Sequence, residues 1–123
     1  MISIRGAITV ENNTKTEIIN ATKRLIKTIE STNNLNQDKV ISMIFSCTND
    51  LNKVAPSKAA RDLDYTHIGL MNFNEMQVDN GLQKCIRVMI LYDSDKQQNE
   101  IKHIYLKKAV KLRPDLVPKD KQK

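Results

Sequence analysis

Residues 75–89 read EMQVDNGLQKCIRVM, and the apolar run that closes this stretch continues as ILY to residue 92. Up to Gly81 the composition is that of irregular backbone. From Cys85 it becomes a β-favouring strand, CIRVMILY, interrupted by one arginine, Arg87. A guanidinium in such a strand is costly unless an anion or a carboxylate meets it. Glu75, at the head of the same stretch, is one counter-charge within reach of the chain; a ligand anion is the other.

Working outward, residues 2–10 alternate with Ile2, Ile4, Ile8 and Val10 apolar, which predicts a strand. Arg5 lies on the opposite parity, a second strand-embedded arginine. Thr14 and Glu17 form a T-x-x-E capping box. The helix that follows has an apolar stripe of Ile18, Ala21, Leu25 and Ile29, widened by Ile19 and Ile26, and a polar face with Lys15, Lys23, Lys27 and Glu30. It should run about five turns on a sheet and end in the breaker cluster 31–34. Asn36 is placed to cap a short turn before Val40, and ISMIFSC (41–47) is dense enough for a strand buried on both faces. Pro56 opens a short helix, PSKAARDL (56–63), with Lys58 and Arg61 on one face. A strand is expected over 66–71. The segment IKHIYLKKAVKLRPDL (101–116) fits a helix through Ile101, Tyr105, Lys108 and Leu112, and a strand at HIYL; Pro114 should end either. The order predicts an α+β, α/β-like domain with a mixed sheet packed with helices. The helices are too few to cover the sheet, so oligomerisation is expected.

With 123 residues the chain makes one domain, expected over 1–116 with a flexible basic tail over 117–123. Eight of the 20 Lys and Arg residues behind the net charge of +6 lie between Lys102 and Lys123, without the interleaved aromatics of nucleic-acid binders. A solvated tail is the expectation, not a nucleic-acid partner. No apolar window reaches a membrane span, and MISIRGAITV has no signal-peptide pattern, so a cytoplasmic protein without membrane contact is expected. Cys47 and Cys85 sit in apolar runs and read as buried free thiols, with a disulfide as the alternative. His67 and His103 lack neighbours at ligand spacing, so no metal site is expected.

Standard catalytic motifs are absent. What remains in apolar or strand-like surroundings is Arg5, Glu75, Arg87, Tyr105 and Arg113. Arginine and tyrosine donate hydrogen bonds at neutral pH, so such a set binds carboxylate or phosphate and stabilises negative charge. Catalysis on it would rest on positioning and electrostatics, without a covalent step.

Four segments in order, IRGAITVE (4–11), PSKAARDL (56–63), EMQVDNGLQKCIRVM (75–89) and IKHIYLKKAVKLRPDL (101–116), resemble the monofunctional chorismate mutases of the trimeric pseudo-α/β-barrel class. The resemblance implies a homotrimer with sites in the clefts between subunits. It implies conversion of the dicarboxylate chorismate to prephenate by an intramolecular [3,3] rearrangement, on the route to phenylalanine and tyrosine, with no cofactor. It assigns Arg5 and Tyr105 to a substrate carboxylate, Arg87 to a carboxylate and the ether oxygen, and Glu75 to the substrate hydroxyl. Lys58 and Arg61 would come from the adjacent subunit; Ser57, Asn72, Leu112 and Arg113 would complete the site. It also places HIYL in a strand. The chain departs from the family pattern at Asn72, where well-known members carry Cys, and at Ala55, where they carry Phe. Other trimers of similar architecture bind small acids or deaminate imines, and these form the alternative class.

Overall fold

In a computed structural model of the protein, which describes residues 1–116, alternation along the first strand sets the architecture. The elements are β1 (Ile2–Thr9), α1 (Lys15–Asn33), β2 (Val40–Cys47), α2 (Ser57–Asp62), β3 (Gly69–Asn74), β4 (Cys85–Tyr92) and β5 (Ile104–Tyr105). They form one five-stranded sheet in the order β3-β2-β4-β1-β5. The inner pairs β2–β4 and β4–β1 are antiparallel, and the edge pairs β2–β3 and β1–β5 are parallel. This is the mixed sheet that the sequence predicted. The basic tail expected over 117–123 lies outside the described residues.

One face of the sheet carries Ile4, Ile8, Met43, Phe45, Ile86, Val88 and Ile90. These pack on the α1 stripe of Ile18, Leu25, Ile26 and Ile29, all of which are buried. Each such side chain contributes about 1.5–3 kcal/mol of transfer free energy, so this layer dominates stability. Gly6 is what lets β1 approach the helix: a Cβ there would stand 2.8 Å from Ile29 Cδ1 and 3.1 Å from the Ile104 carbonyl oxygen. Thr14 Oγ1 accepts from the Glu17 amide at 3.1 Å and so caps α1. Glu17 reaches back to the Asn12 amide rather than to the amide of Thr14 itself. Asn34 closes the helix in the left-handed region (φ 50°), and Asn36 caps the short 3-10 turn over 37–39.

Several expectations need correction. β2 is not buried on both faces: Met43, Phe45 and Cys47 are buried, while Ile44 and Ser46 are only half-covered and Ile41 is exposed. Both helices pack on one side; on the other, among the described residues, the 3-10 helix over Lys107–Leu112 covers only the end where Ala7 and Cys85 are buried with Tyr105 and Ala109, and the β2–β3 side stays partly open. The third strand is displaced to Gly69–Asn74, because Asp64 takes a positive φ of 72° and Tyr65 then turns into the core before the strand begins. Residues 101–116 contain both readings: a two-residue strand, β5, pairs with Gly6 and Ala7, and a 3-10 helix over Lys107–Leu112 follows. Pro114 opens a further 3-10 turn, Pro114–Leu116, instead of ending the segment. Cys47 and Cys85 are free and buried, as expected, and burial pushes both thiols up to about 12.

Candidate active site

The face of the sheet away from α1 and α2 holds Arg5 and Arg87, two of the polar residues that the sequence isolated. On it, Ala7 pairs with Arg87 and Arg5 with Met89. Arg5 and Arg87 are therefore diagonal cross-strand neighbours, roughly 7–8 Å apart at the backbone. Two long guanidinium side chains on that spacing can converge on one small dianion. β2 contributes Ser46, which pairs with Arg87 from the other side.

Glu75 follows β3 directly, and its amide donates to the Cys47 carbonyl at 2.7 Å. Its carboxylate is held at both oxygens: Arg87 Nη1 lies 3.3 Å from Oε1 and Ser46 Oγ donates to Oε2 at 3.0 Å. Each carboxylate oxygen keeps further acceptor capacity, and the Arg87 fork keeps further donors. The pair lines a pocket of about 940 Å³ with the loop 76–83, Cys85, Leu112 and the turn Thr48–Asp50. That turn was not singled out from the sequence, although T-N-D after an apolar strand is a turn signal. Its function is visible in the hydrogen bonds. Asp50 accepts from the Lys84 amide at both carboxylate oxygens, and Thr48 Oγ1 accepts from the Cys85 amide at 3.0 Å. These bonds fix where β4 starts and so place Arg87.

Tyr105, on the edge strand β5, packs its ring against Ala7, Cys85 and Ala109. Among the described residues no buried side-chain polar atom lacks a partner and the Tyr105 hydroxyl makes no hydrogen bond, so it is not buried. His103 has Arg5 for a neighbour, a contact the sequence did not reveal. Its Nδ1 accepts from the Arg5 amide at 2.9 Å, and Nε2 lies 3.3 Å from Arg5 Nη2. Burial, then the Arg5 and Arg113 charges, hold its pKa below the ordinary value, so the neutral ring with an accepting Nδ1 is favoured. Arg113 is engaged by Asp115 through Nε and Nη2 at 3.1 and 2.9 Å, and Leu112 lies on the pocket wall.

Ser57, Lys58, Arg61 and Asn72 form a second group. Lys58 pairs with Asp62 at 3.2 Å, and Lys23 of α1 approaches the same carboxylate at 3.6 Å. Hydrogen bonding from Lys58 leads the causes that hold Asp62 below the usual carboxylate range. Asn72 turns toward α2 and bonds Ser57, not Glu75. This group flanks edge strand β3, whereas Tyr105 is on the opposite edge strand, four inter-strand steps away. At about 4.8 Å per step that is roughly 19 Å, too far for one small ligand to touch both.

What fold and site define is a small α+β domain whose sheet sets Arg5 and Arg87 diagonally on one face, beside a cleft lined by Arg87 and by the carboxylates of Glu75, Asp50 and Asp79. The chain belongs to the chorismate mutase type I family, whose model matches residues 1–116. It is 45% identical over 114 residues to the chorismate mutase AroH of Bacillus subtilis, covering 92% of this chain and 90% of that protein. The chorismate mutase AroH of Thermus thermophilus is 39% identical, covering 92% and 93%. A solved chorismate mutase from Clostridium thermocellum superposes with a TM-score of 0.85 at 45% identity, covering 87% of this chain and 96% of that one.

Proposed function

We propose that the protein is a chorismate mutase that works as a homotrimer in the cytoplasm, rearranging chorismate to prephenate for phenylalanine and tyrosine synthesis. The observation that carries the reading is the diagonal placement of Arg5 and Arg87 on the face away from the helices, with Glu75 held beside Arg87. Chorismate is a dianion with a hydroxyl and an ether oxygen. Arg5 and the Tyr105 hydroxyl take a carboxylate, and Glu75 accepts from the hydroxyl. Arg87 donates to the ether oxygen, where negative charge grows as the C–O bond breaks and the new C–C bond forms. Holding the compact diaxial conformer removes part of the entropic barrier, and no proton transfer is required.

The trimer is supported by two features. The face away from the helices leaves Met71 and Phe73 57% and 50% exposed, with Met89 also exposed, an apolar surface that association buries. The separation of Tyr105 from the Ser57–Arg61 group is bridged when α2 of one subunit meets the cleft of the next. The buried free thiols suit a reducing compartment, and among the described residues no helix is long and apolar enough to cross a membrane.

The test is turnover of chorismate by purified protein, with mass measured by light scattering. Prephenate should form with a kcat nearly flat from about pH 6 to 9, since no general acid or base is used. A folded trimer that leaves chorismate unchanged refutes the assignment.

A further inference from the structure

Of the two cations on α2, only one has a counter-ion among the described residues. Lys58 is bound to Asp62, which Lys23 also approaches. Arg61 has no carboxylate within 4 Å among the described residues; its one hydrogen bond runs from Nη1 to the Ser57 hydroxyl oxygen at 3.3 Å. That oxygen also accepts from Asn72 Nδ2 at 2.8 Å, while Asn72 Oδ1 accepts from the Ser57 amide at 3.1 Å. Pro56, at the N-cap position of α2, supplies no side-chain cap, so the amide of Asn72, arriving from the neighbouring strand, does that work. Ser57 is buried, so its hydroxyl has little freedom to turn elsewhere.

We propose that Asn72 is a positioning residue: through Ser57 it sets the guanidinium of Arg61, which α2 offers as an uncompensated cation to the substrate anion in the neighbouring subunit's cleft, and the Asn72 amide itself does not touch substrate. The inference rests on the functional reading above and deepens it. The Asn72 amide is bonded at each end, to the backbone and to the hydroxyl of Ser57, and its pairing with Phe45 puts it on the helix-covered face, opposite to that of Arg87. Arg61 is unpaired by salt bridge but is held at one nitrogen, so the rest of its fork stays available for a carboxylate.

The two bonds of Asn72 can be separated by substitution. Ser57→Ala deletes the relay to Arg61 and leaves the backbone anchor of α2 intact, whereas Asn72→Ala deletes both. Each variant should raise KM for chorismate roughly 3- to 10-fold with kcat within about twofold, the size expected for one hydrogen bond that aids ground-state and transition-state binding alike. In an Arg61→Ala background neither substitution should raise KM further, because coupled residues are non-additive. Ser57→Ala should keep the wild-type melting temperature. Independently of turnover, ¹⁵N relaxation at Arg61 Nε should report a more mobile guanidinium in both variants. Unchanged KM in Ser57→Ala, additive effects with Arg61→Ala, or unchanged Nε relaxation overturns the relay. If wild-type protein fails to turn over chorismate, the functional reading falls, and the relaxation data alone decide the relay.

Discussion

Arg87→Ala separates the two descriptions of that residue, a strand charge neutralised by Glu75 and a catalytic donor. For stability, the structure predicts little. The Arg87–Glu75 pair is 3.3 Å long, with side chains 40% and 25% exposed. Pairs that open to solvent contribute about 0.2–1 kcal/mol. Removing the guanidinium does not strand the carboxylate, because Ser46 still donates to Glu75 Oε2 at 3.0 Å. Urea unfolding at fixed protein concentration should therefore shift by no more than about 1 kcal/mol. For catalysis, the loss is that of one preorganised donor at a developing oxyanion, about 2.7–4 kcal/mol, or roughly 100- to 1,000-fold in kcat. Initial rates of chorismate disappearance, taken beside unfolding curves and trimer mass on the same preparation, measure both. A kcat within threefold of wild type, or a loss matched by unfolding or dissociation, would show that the Arg87 charge is structural.

Two further outcomes follow from the same geometry. The neutral His103 ring accepts from the Arg5 amide and its pKa is depressed, so the unfolded chain takes up a proton that the folded one resists. Stability should be full above the ordinary imidazole value of about 6.5 and fall as pH drops from there toward the depressed folded value. Melting scans should show a smaller decline between pH 7.5 and 5.5 in His103→Gln than in wild type; equal declines refute the assignment to His103. Gly6→Ala places a Cβ against Ile29 and the Ile104 carbonyl, so it should lower the unfolding free energy by about 1–3 kcal/mol. By pushing β5 away it should also raise KM through Tyr105, and an unaltered denaturation midpoint counts against the close approach.

Much of the fold was legible because local chemistry and long-range packing agree. The alternation of Ile2, Ile4 and Ile8, the Thr14 cap and the CIRVMILY run each specify one structure, and each was found. ISMIFSC misled because apolar density registers burial without saying by what: one face is covered by helices, and the other is only half-covered among the described residues. Segment 101–116 was undecided because two residues of edge strand and a 3-10 helix are too short to display a period. For the site, strand parity exposed Arg5 and Arg87, since a charge in an apolar alternation is conspicuous. The contacts of His103, Asp50 and Ser46 were invisible, being made across 98, 34 and 29 residues of sequence by side chains ordinary in composition. Asn72 was read as a substrate ligand from its place in a motif. Its side of the strand, fixed only by pairing with Phe45, turns it toward α2.

The strict alternation of β4 carries a consequence for how the protein tolerates change. Ile86, Val88 and Ile90 point into the helical layer, and Cys85, Arg87, Met89 and Leu91 point the other way. Neighbouring codons thus answer to different selections: one to whether the chain folds at all, the next to whether a folded chain assembles and reacts. Saturation mutagenesis along these eight residues should yield two interleaved phenotypes, with losses of protein abundance at even positions and abundant, inactive protein at Arg87. A single inserted residue would exchange the two sets at a stroke, which makes the length of this strand, more than any one side chain in it, the least negotiable property of the molecule.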